Sequence, residues 1–400
     1  MKVVITIEHR FDRTPDGKVW TYTTCPYSFW KRYLDVFEHV RVIARLREVS
    51  SVPSDFKRAD GEGVSFASVP YYIGPWQYLQ RFHQVKRVAK NAVGAEDAVI
   101  LRVGSPIAAL IQPFLHRSGH PYGVEVVADP YDAFAPGSVK HPLRPFFRWL
   151  SPRQLQNQCV KACAAAYVTQ YALQHRYPPA KEAFSTHYSS VELLDTAFVS
   201  FARSPQQEMS RLTLITVGTL AQLYKAPDIL IKAVAACVKE GLDLELILIG
   251  DGKHRPELER LTKNIGLGTR VNFLGQLPAG DAVRTQLDQA DLFILPSYQE
   301  GLPRAMIEAM ARGLPCIGST VGGIPELLPP EDMVPPGDVV ALANKIREVV
   351  NNPERMAQMS ARNLEKAKDY RQKILRDRRI VFYRYVREKT EQYILQGKAI

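Results

Sequence analysis

Short apolar runs alternate with helical stretches along the whole chain, and they do so in two successive series. In the first half the runs are Val3–Ile7, Val40–Ala44, Val64–Ser68, Ala98–Val103, Val124–Ala128 and Ala165–Thr169, with helical patterns over Pro75–Ala92, Ser105–Arg117 and Arg144–Ala164. In the second half the runs Leu212–Val217, Leu244–Ile249, Val271–Leu274, Leu292–Leu295 and Pro315–Ile317 enclose helices over Pro227–Glu240, Arg255–Ile265, Asp281–Ala290 and Pro303–Arg312. Several runs are continuously apolar, the mark of strands buried on both faces of a parallel sheet. Strand–helix alternation of this kind predicts an α/β chain with two doubly wound, Rossmann-like sheets. The polar segment Ser200–Glu208 carries a proline and no apolar period, and reads as the linker between them. The predicted division is residues 1–202, residues 203–370, and a basic helix over 371–400 within a helical stretch, Asn363–Lys389, whose apolar residues share one face.

The 400 residues are 46% hydrophobic and 23% charged, a globular composition with room for two full cores. The five cysteines are scattered without zinc-ribbon spacing, which excludes a disulfide framework and suits a reducing, cytoplasmic setting. The first apolar run is too short for a signal peptide, and no run reaches membrane-spanning length. The formal charge of +11 leaves nucleic acid, an anionic membrane surface or an anionic small ligand as partners, with much of the excess between Arg362 and Ile400. No nucleic-acid module is present, so that reading is set aside.

Three loops in the second half have the form of an anion site. The first follows the strand ending at Val217-Gly218-Thr219 and brings Lys225 just ahead of a helix opened by Pro227. The second follows Leu292–Pro296-Ser297, where Gly301, Leu302 and Pro303 lead into a helix and Glu300 and Glu308 bracket its start. Amides at Gly301 and Leu302 suit a pyrophosphate, and Glu308 suits the hydroxyls of a ribose. The third is the glycine pair of Gly322-Gly323-Ile324-Pro325-Glu326, which permits close backbone approach. Each is ordinary alone: a surface lysine, a solvated loop acid, a tight turn.

Taken together they resemble the nucleotide-sugar domain of the family 4 glycosyltransferases, which have the GT-B fold. The resemblance covers roughly Leu212–Leu328 and includes Gly218 with Lys225, Ile249-Gly250-Asp251-Gly252, Phe273-Leu274-Gly275, Asp291 before Pro296-Ser297, Glu300 with Glu308, and the glycine pair. It implies two Rossmann-like domains facing a cleft, with the last helix crossing back to the first domain. It also implies a retaining transfer of a sugar from a nucleoside-diphosphate sugar, a UDP-sugar by family frequency, to a glycan, lipid-linked or small-molecule acceptor. Lys225 would meet the pyrophosphate, Glu300 the sugar hydroxyls and Glu308 the ribose. Gly301 and Leu302 would meet phosphate oxygens, and the segment around Gly275 the base. No cofactor or metal ion is called for.

The chain departs from the family where Thr219 replaces a frequent arginine and Ala226 a frequent glycine. A non-catalytic nucleotide-sugar sensor and a nucleotide-sugar epimerase are therefore kept as alternatives.

The first half offers fewer marks. Gly17 and Lys18 lie in a Pro-Asp-Gly turn expected to reach the cleft, and Thr169 ends a strand that also faces it. The family often places a histidine near Asp129, where this chain has none, so Asp129 or Asp132 is expected to stand in for it. The segment Tyr71–Lys90 mixes aromatics with Arg81, Lys86, Arg87 and Lys90. We read its apolar face as packed on the sheet. The alternative, peripheral contact with the anionic inner face of a membrane, applies to it and to the basic tail.

Overall fold

The computed structural model describes residues 1–22, 24–135, 141–204 and 211–397. The first half contains β1 (Lys2–Arg13), β2 (Val19–Thr21), α1 (Tyr27–Leu34), β3 (His39–Glu48), β4 (Lys57–Arg58), β5 (Val64–Pro70), α2 (Gly74–Asn91), β6 (Ala98–Val103), α3 (Pro106–Arg117), β7 (Gly123–Val126), α4 (Pro130–Ala133), α5 (Arg144–Lys161), β8 (Ala164–Tyr167), α6 (Ala172–Arg176) and β9 (Phe184–His187). Seven strands run parallel in the order β5-β3-β1-β6-β7-β8-β9. The far end of β1 turns back through β2, which pairs antiparallel with β1 and β4.

The second half holds β10 (Leu212–Val217), α7 (Pro227–Lys239), β11 (Leu244–Ile249), α8 (Arg255–Asn264), β12 (Val271–Gly275), α9 (Asp281–Gln289), β13 (Leu292–Leu295), α10 (Arg304–Ala311), β14 (Cys316–Ser319), β15 (Met333–Val334), α11 (Val339–Val350), α12 (Pro353–Ala367) and α13 (Gln372–Gly397). Its six strands are ordered β12-β11-β10-β13-β14-β15. In sequence order this is 3-2-1-4-5-6, so direction reverses between β10 and β13 and a crevice opens beyond their carboxyl ends. Alternate residues serve the two faces: Leu214, Leu246, Leu292 and Ile294 pack on one side, Ile215, Ile249, Phe293 and Leu295 on the other. Continuously apolar strands are what such double coverage demands.

The tail is shared. The helical stretch expected over Asn363–Lys389 is broken at Lys368–Arg371, where the chain leaves the second half. α13 then lays Leu375, Phe382, Tyr383 and Val386 into the first core. Gly123 makes room for it, since a Cβ there would stand 2.7 Å from the Val386 side chain. The buried Glu125 carboxylate accepts hydrogen bonds from the hydroxyls of Tyr33 at 2.8 Å, Tyr188 at 2.7 Å and Tyr383 at 3.2 Å, and from Arg102 at 2.6 Å. Burial pushes this carboxyl up, but the Arg102 charge and the hydroxyls outweigh it and hold the group below its ordinary range. The basic excess of the tail thus decorates a packing helix. Around the start of the expected linker the chain lies on the second half: Val199 N–H donates to Ala311 at 3.0 Å and Arg203 N–H to Ser360 at 2.8 Å. Residues 205–208 of the expected linker lie outside the described residues.

α2 packs a narrower face than expected. Only Val85 and Ala89 are buried, while Trp76 and Leu79 are 78% and 59% exposed. The helix packs Tyr78, Val85, Val88 and Ala89 against the core and leaves Trp76 and Leu79 in solvent. Among the described residues no helix is long and apolar enough to cross a membrane, and all five cysteines are free thiols.

Candidate active site

The loops after β10 and β13 meet at the crevice where the second sheet reverses. Lys225 comes from the first and Glu300 from the second, and their side chains join at 2.6 Å. Ser297, fully buried, donates to the same Oε1 of Glu300 at 2.7 Å. Glu300 is 8% exposed, and its Oε2 takes no hydrogen bond among the described residues. A carboxylate with one oxygen tied down and the other open is oriented for a hydroxyl ligand.

Backbone contacts hold these loops. Tyr298 N–H donates to Tyr224 at 2.7 Å and the Ser319 hydroxyl to Ser297 at 2.6 Å, tying three strand ends together. Glycines allow the crowding. At Gly250 (φ +135°) a Cβ would fall 1.9 Å from the Gly218 oxygen, and Gly250 N–H donates to Gly275 at 2.8 Å. At Gly322 (φ +53°) a Cβ would fall 2.0 Å from the Glu300 oxygen, and Gly323 N–H donates to Gly301 at 2.7 Å. The glycine pair therefore admits the Glu300 loop, a backbone partner that sequence reasoning had not assigned to it. Ala226, just after the lysine, is buried in the left-handed region at φ +52°. Glycine suits that conformation without strain, which explains the residue common at this place in the resembled family.

Leu302 and Pro303 are buried at the start of α10, and Glu308 follows within the helix. Burial pushes the Glu308 carboxyl above its ordinary range, against the pull of Arg304 and Arg284. It makes no side-chain hydrogen bond among the described residues. Thr219 does not reach outward; its hydroxyl accepts from Ala221 N–H at 3.1 Å, so it replaces an arginine without replacing its charge.

The two halves touch at this site. A Cβ on Gly301 would lie 2.6 Å from the Val127 oxygen, at the end of β7. Thr169, fully buried, packs its methyl on Gly323 and uses its hydroxyl to accept from Leu173 N–H at 3.0 Å. Glu326, quoted with the glycine pair but given no role, spans the gap: its carboxylate accepts from the backbone N–H of Gln170 at 2.6 Å, Tyr171 at 2.8 Å and Ala172 at 2.7 Å. A carboxylate seated on free amides at a helix start is a strong, charge-assisted contact. Its signal was legible only with the opposing helix in view.

Two expectations for the first half need correction. Asp129 has no free oxygen to offer: it caps α4 through Tyr131 N–H at 2.8 Å, accepts from the Tyr177 hydroxyl and pairs with Arg176. Asp132 shares that arginine at 3.3 Å. They form a folded brace, so neither stands in for the absent histidine. Gly17 and Lys18 sit at an exposed hairpin tip, with Lys18 paired to Asp16 at 2.7 Å and the turn's hydrogen bonds closing on itself.

In place of these, a cavity of about 560 Å³ opens at the carboxyl ends of the first sheet, walled by α2, α3 and α5. Its polar lining includes Glu8, which accepts from the Ser105 hydroxyl at 3.1 Å and from Tyr72 and pairs with Arg45 at 3.3 Å. Ala128 and Asp129 line it, one residue beyond the Val127 that meets Gly301. None of these polar residues carries a sequence motif. A second cavity, about 490 Å³ around Arg203, Asp291 and Met356, lies at the opposite ends of the second sheet's strands, away from this chemistry.

Residues 211–352 match the family described as Glycosyl transferases group 1. The chain is 27% identical to Protein CapJ of Staphylococcus aureus over 363 residues, 87% of this chain and 89% of that protein.

This protein is a glycosyltransferase with the GT-B fold.

The glycosyltransferase is also 32% identical to N-acetyl-alpha-D-glucosaminyl L-malate synthase of Bacillus anthracis, over 45% of this chain and 47% of that one. In fold it is similar to Anabaena HepE, solved with UDP and glucose, at a TM-score of 0.62 and 16% identity with all of both chains covered.

Proposed function

We propose that this glycosyltransferase takes a sugar from a nucleoside-diphosphate sugar, with UDP as the nucleotide, and transfers it to an acceptor hydroxyl with retention of configuration. The observation that carries the reading is the Lys225–Glu300–Ser297 cluster at the reversal point of the second sheet. Lys225 and the amides ahead of α10 stabilise the departing diphosphate, so no resident metal ion is required. The open oxygen of Glu300 holds a sugar hydroxyl, and Glu308 holds the ribose. HepE, of the same fold, was solved with UDP and glucose, which supports the donor class.

The bond from the anomeric carbon to the diphosphate breaks and the bond to the acceptor oxygen forms on the same face. The acceptor proton passes to the departing phosphate. Among the described residues no paired carboxylates of the retaining-glycosidase kind face each other here, which favours this front-face course. The acceptor occupies the cavity beside Glu8, adjoining the donor through residues 127–129, and the protein works in the cytoplasm.

The test is UDP binding by calorimetry and release of UDP from UDP-sugars, measured with EDTA present. Lys225→Ala and Glu300→Ala should lower turnover about a hundredfold or more. Turnover equal to the parent protein in both variants would refute the site.

A further inference from the structure

The crevice of the second half is rich in backbone amides and poor in net charge. Lys225 is the only cation in the loop after β10, and Glu300 cancels it at 2.6 Å. Thr219 adds none, because its hydroxyl is turned back onto Ala221 N–H at 3.1 Å. The loops after β12, β13 and β14 contain no lysine or arginine. A diphosphate carries several negative charges, and its departure is eased by cations aimed at it in advance.

Two uncommitted cations lie close by: Lys253 after β11, and Arg304 at the first position of α10. Both are exposed, and among the described residues neither forms a salt bridge or a side-chain hydrogen bond. Position separates them. The loop into α10 leaves β13, which flanks the reversal point, whereas β11 lies one strand beyond it. Arg304 and Glu308 are four residues apart, so they share a face of α10, with Arg304 one turn nearer its open end. The Cα–Cβ bond of a helical residue tilts toward the helix N-terminus, which sends the Arg304 side chain back toward the loop of Gly301 and Leu302. Burial pushes the Cys25 thiol up against the charges of Arg102, Arg32 and Arg304, so Arg304 also stands near the seam between the halves.

We infer that Arg304 is a diphosphate-binding residue: it supplies, from the start of α10, the positive charge that Thr219 lacks, while Glu308 on the same face holds the ribose. The inference rests on the proposed function, since it assigns a further residue to the same donor. The spacing suits the ligand, whose phosphates follow directly on the ribose. A guanidinium fork meets two phosphate oxygens at once, which the point charge of a lysine does not.

The experiment is calorimetry on the full chain with UDP and, separately, with uridine. Arg304→Gln should weaken UDP about tenfold or more and leave uridine within about twofold of the parent. Arg304→Lys should recover only part of that loss. Thr219→Arg added to Arg304→Gln should return UDP affinity to within about threefold of the parent. Lys253→Gln should bind UDP as the parent does.

Arg304 is exposed and bonded to nothing among the described residues, so its variants should keep the parental melting temperature. The inference is overturned if Arg304→Gln binds UDP as tightly as the parent, or if it weakens uridine as much as UDP. It is also overturned if Thr219→Arg leaves the loss in place, or if Lys253→Gln rather than Arg304→Gln carries it. Lys225→Ala distinguishes failure here from failure of the donor site. Weakened UDP binding in that variant beside parental binding in Arg304→Gln refutes Arg304 alone, whereas a parent protein that binds no UDP refutes both.

Discussion

The two halves share a strand order and differ in how they use the ends of those strands. In the second half the loops are pressed so closely that Gly250 and Gly322 leave no space for a Cβ, and a lysine, a serine and a glutamate converge on one oxygen. In the first half the same ends open into a cavity whose walls are side chains of three helices, and one of those helices is mostly bare to solvent. Diphosphate recognition by backbone amides requires close approach, and close approach requires particular residues at particular places. An acceptor cavity requires only volume and a few polar groups, which many sequences supply.

This contrast can be broken at several points. The strongest blow is to the convergent oxygen: Glu300→Gln should retain the fold and lose about a hundredfold in turnover, measured as UDP release, whereas Asp129→Asn should act mainly on stability. If Asp129→Asn removed turnover at an unchanged melting temperature, the division between chemistry and bracing would fail.

Next comes Gly250→Ala, which should destabilise the second half by about 4 kcal/mol, as a methyl group cannot share space with a carbonyl 1.9 Å away. Urea unfolding reports it, and Gly268→Ala, whose Cβ meets only the Lys263 side chain at 3.9 Å, serves as the mild control.

Glu326→Ala should cost about 2 kcal/mol and lower turnover by loosening the two halves, because three amides lose their carboxylate. Small-angle scattering should show a more open average shape. An unchanged profile with unchanged turnover would mean the clasp is idle.

Glu308→Gln divides stability from binding. Its carboxyl is raised by burial, so the ionised form strains the folded state, and that cost is present above the folded pKa and absent below the ordinary carboxylate value near 4.3. The variant should therefore melt higher than the parent at pH 7.5, with the advantage vanishing below about pH 4, while its UDP affinity falls. An advantage equal at both pH values would contradict a protonation origin.

The smallest effect is expected at Ala226→Gly, which relieves a left-handed alanine and should stabilise by about 0.5–1 kcal/mol.

How much could be read beforehand follows the same division. The five strands expected in the second half are present, and Lys225, Glu300 and Gly322 meet where their loops were expected to bind, since each depends on local backbone demands that leave marks in sequence. The short edge strand β15, two residues long, left none. In the first half the central strands were legible from apolar runs, but β2, β4 and β9 were not, being only two to four residues long. The narrowness of α2's packed face was not legible, because its aromatics recur at helical spacing whether, like Tyr78, they face the core or, like Trp76, the solvent. Asp129 was misjudged because its partners, Arg176 and Tyr177, lie some fifty residues away and only the fold brings them to it.

The crossing of α13 also has a consequence for synthesis. The first sheet needs Phe382, Tyr383 and Val386 to close one wall, and the buried charge of Glu125 needs the Tyr383 hydroxyl among its donors. A ribosome releases these residues only after the entire second half has emerged. The amino-terminal lobe must therefore wait, incompletely covered, through the translation of some two hundred residues, and the lobe made second is the one able to mature first.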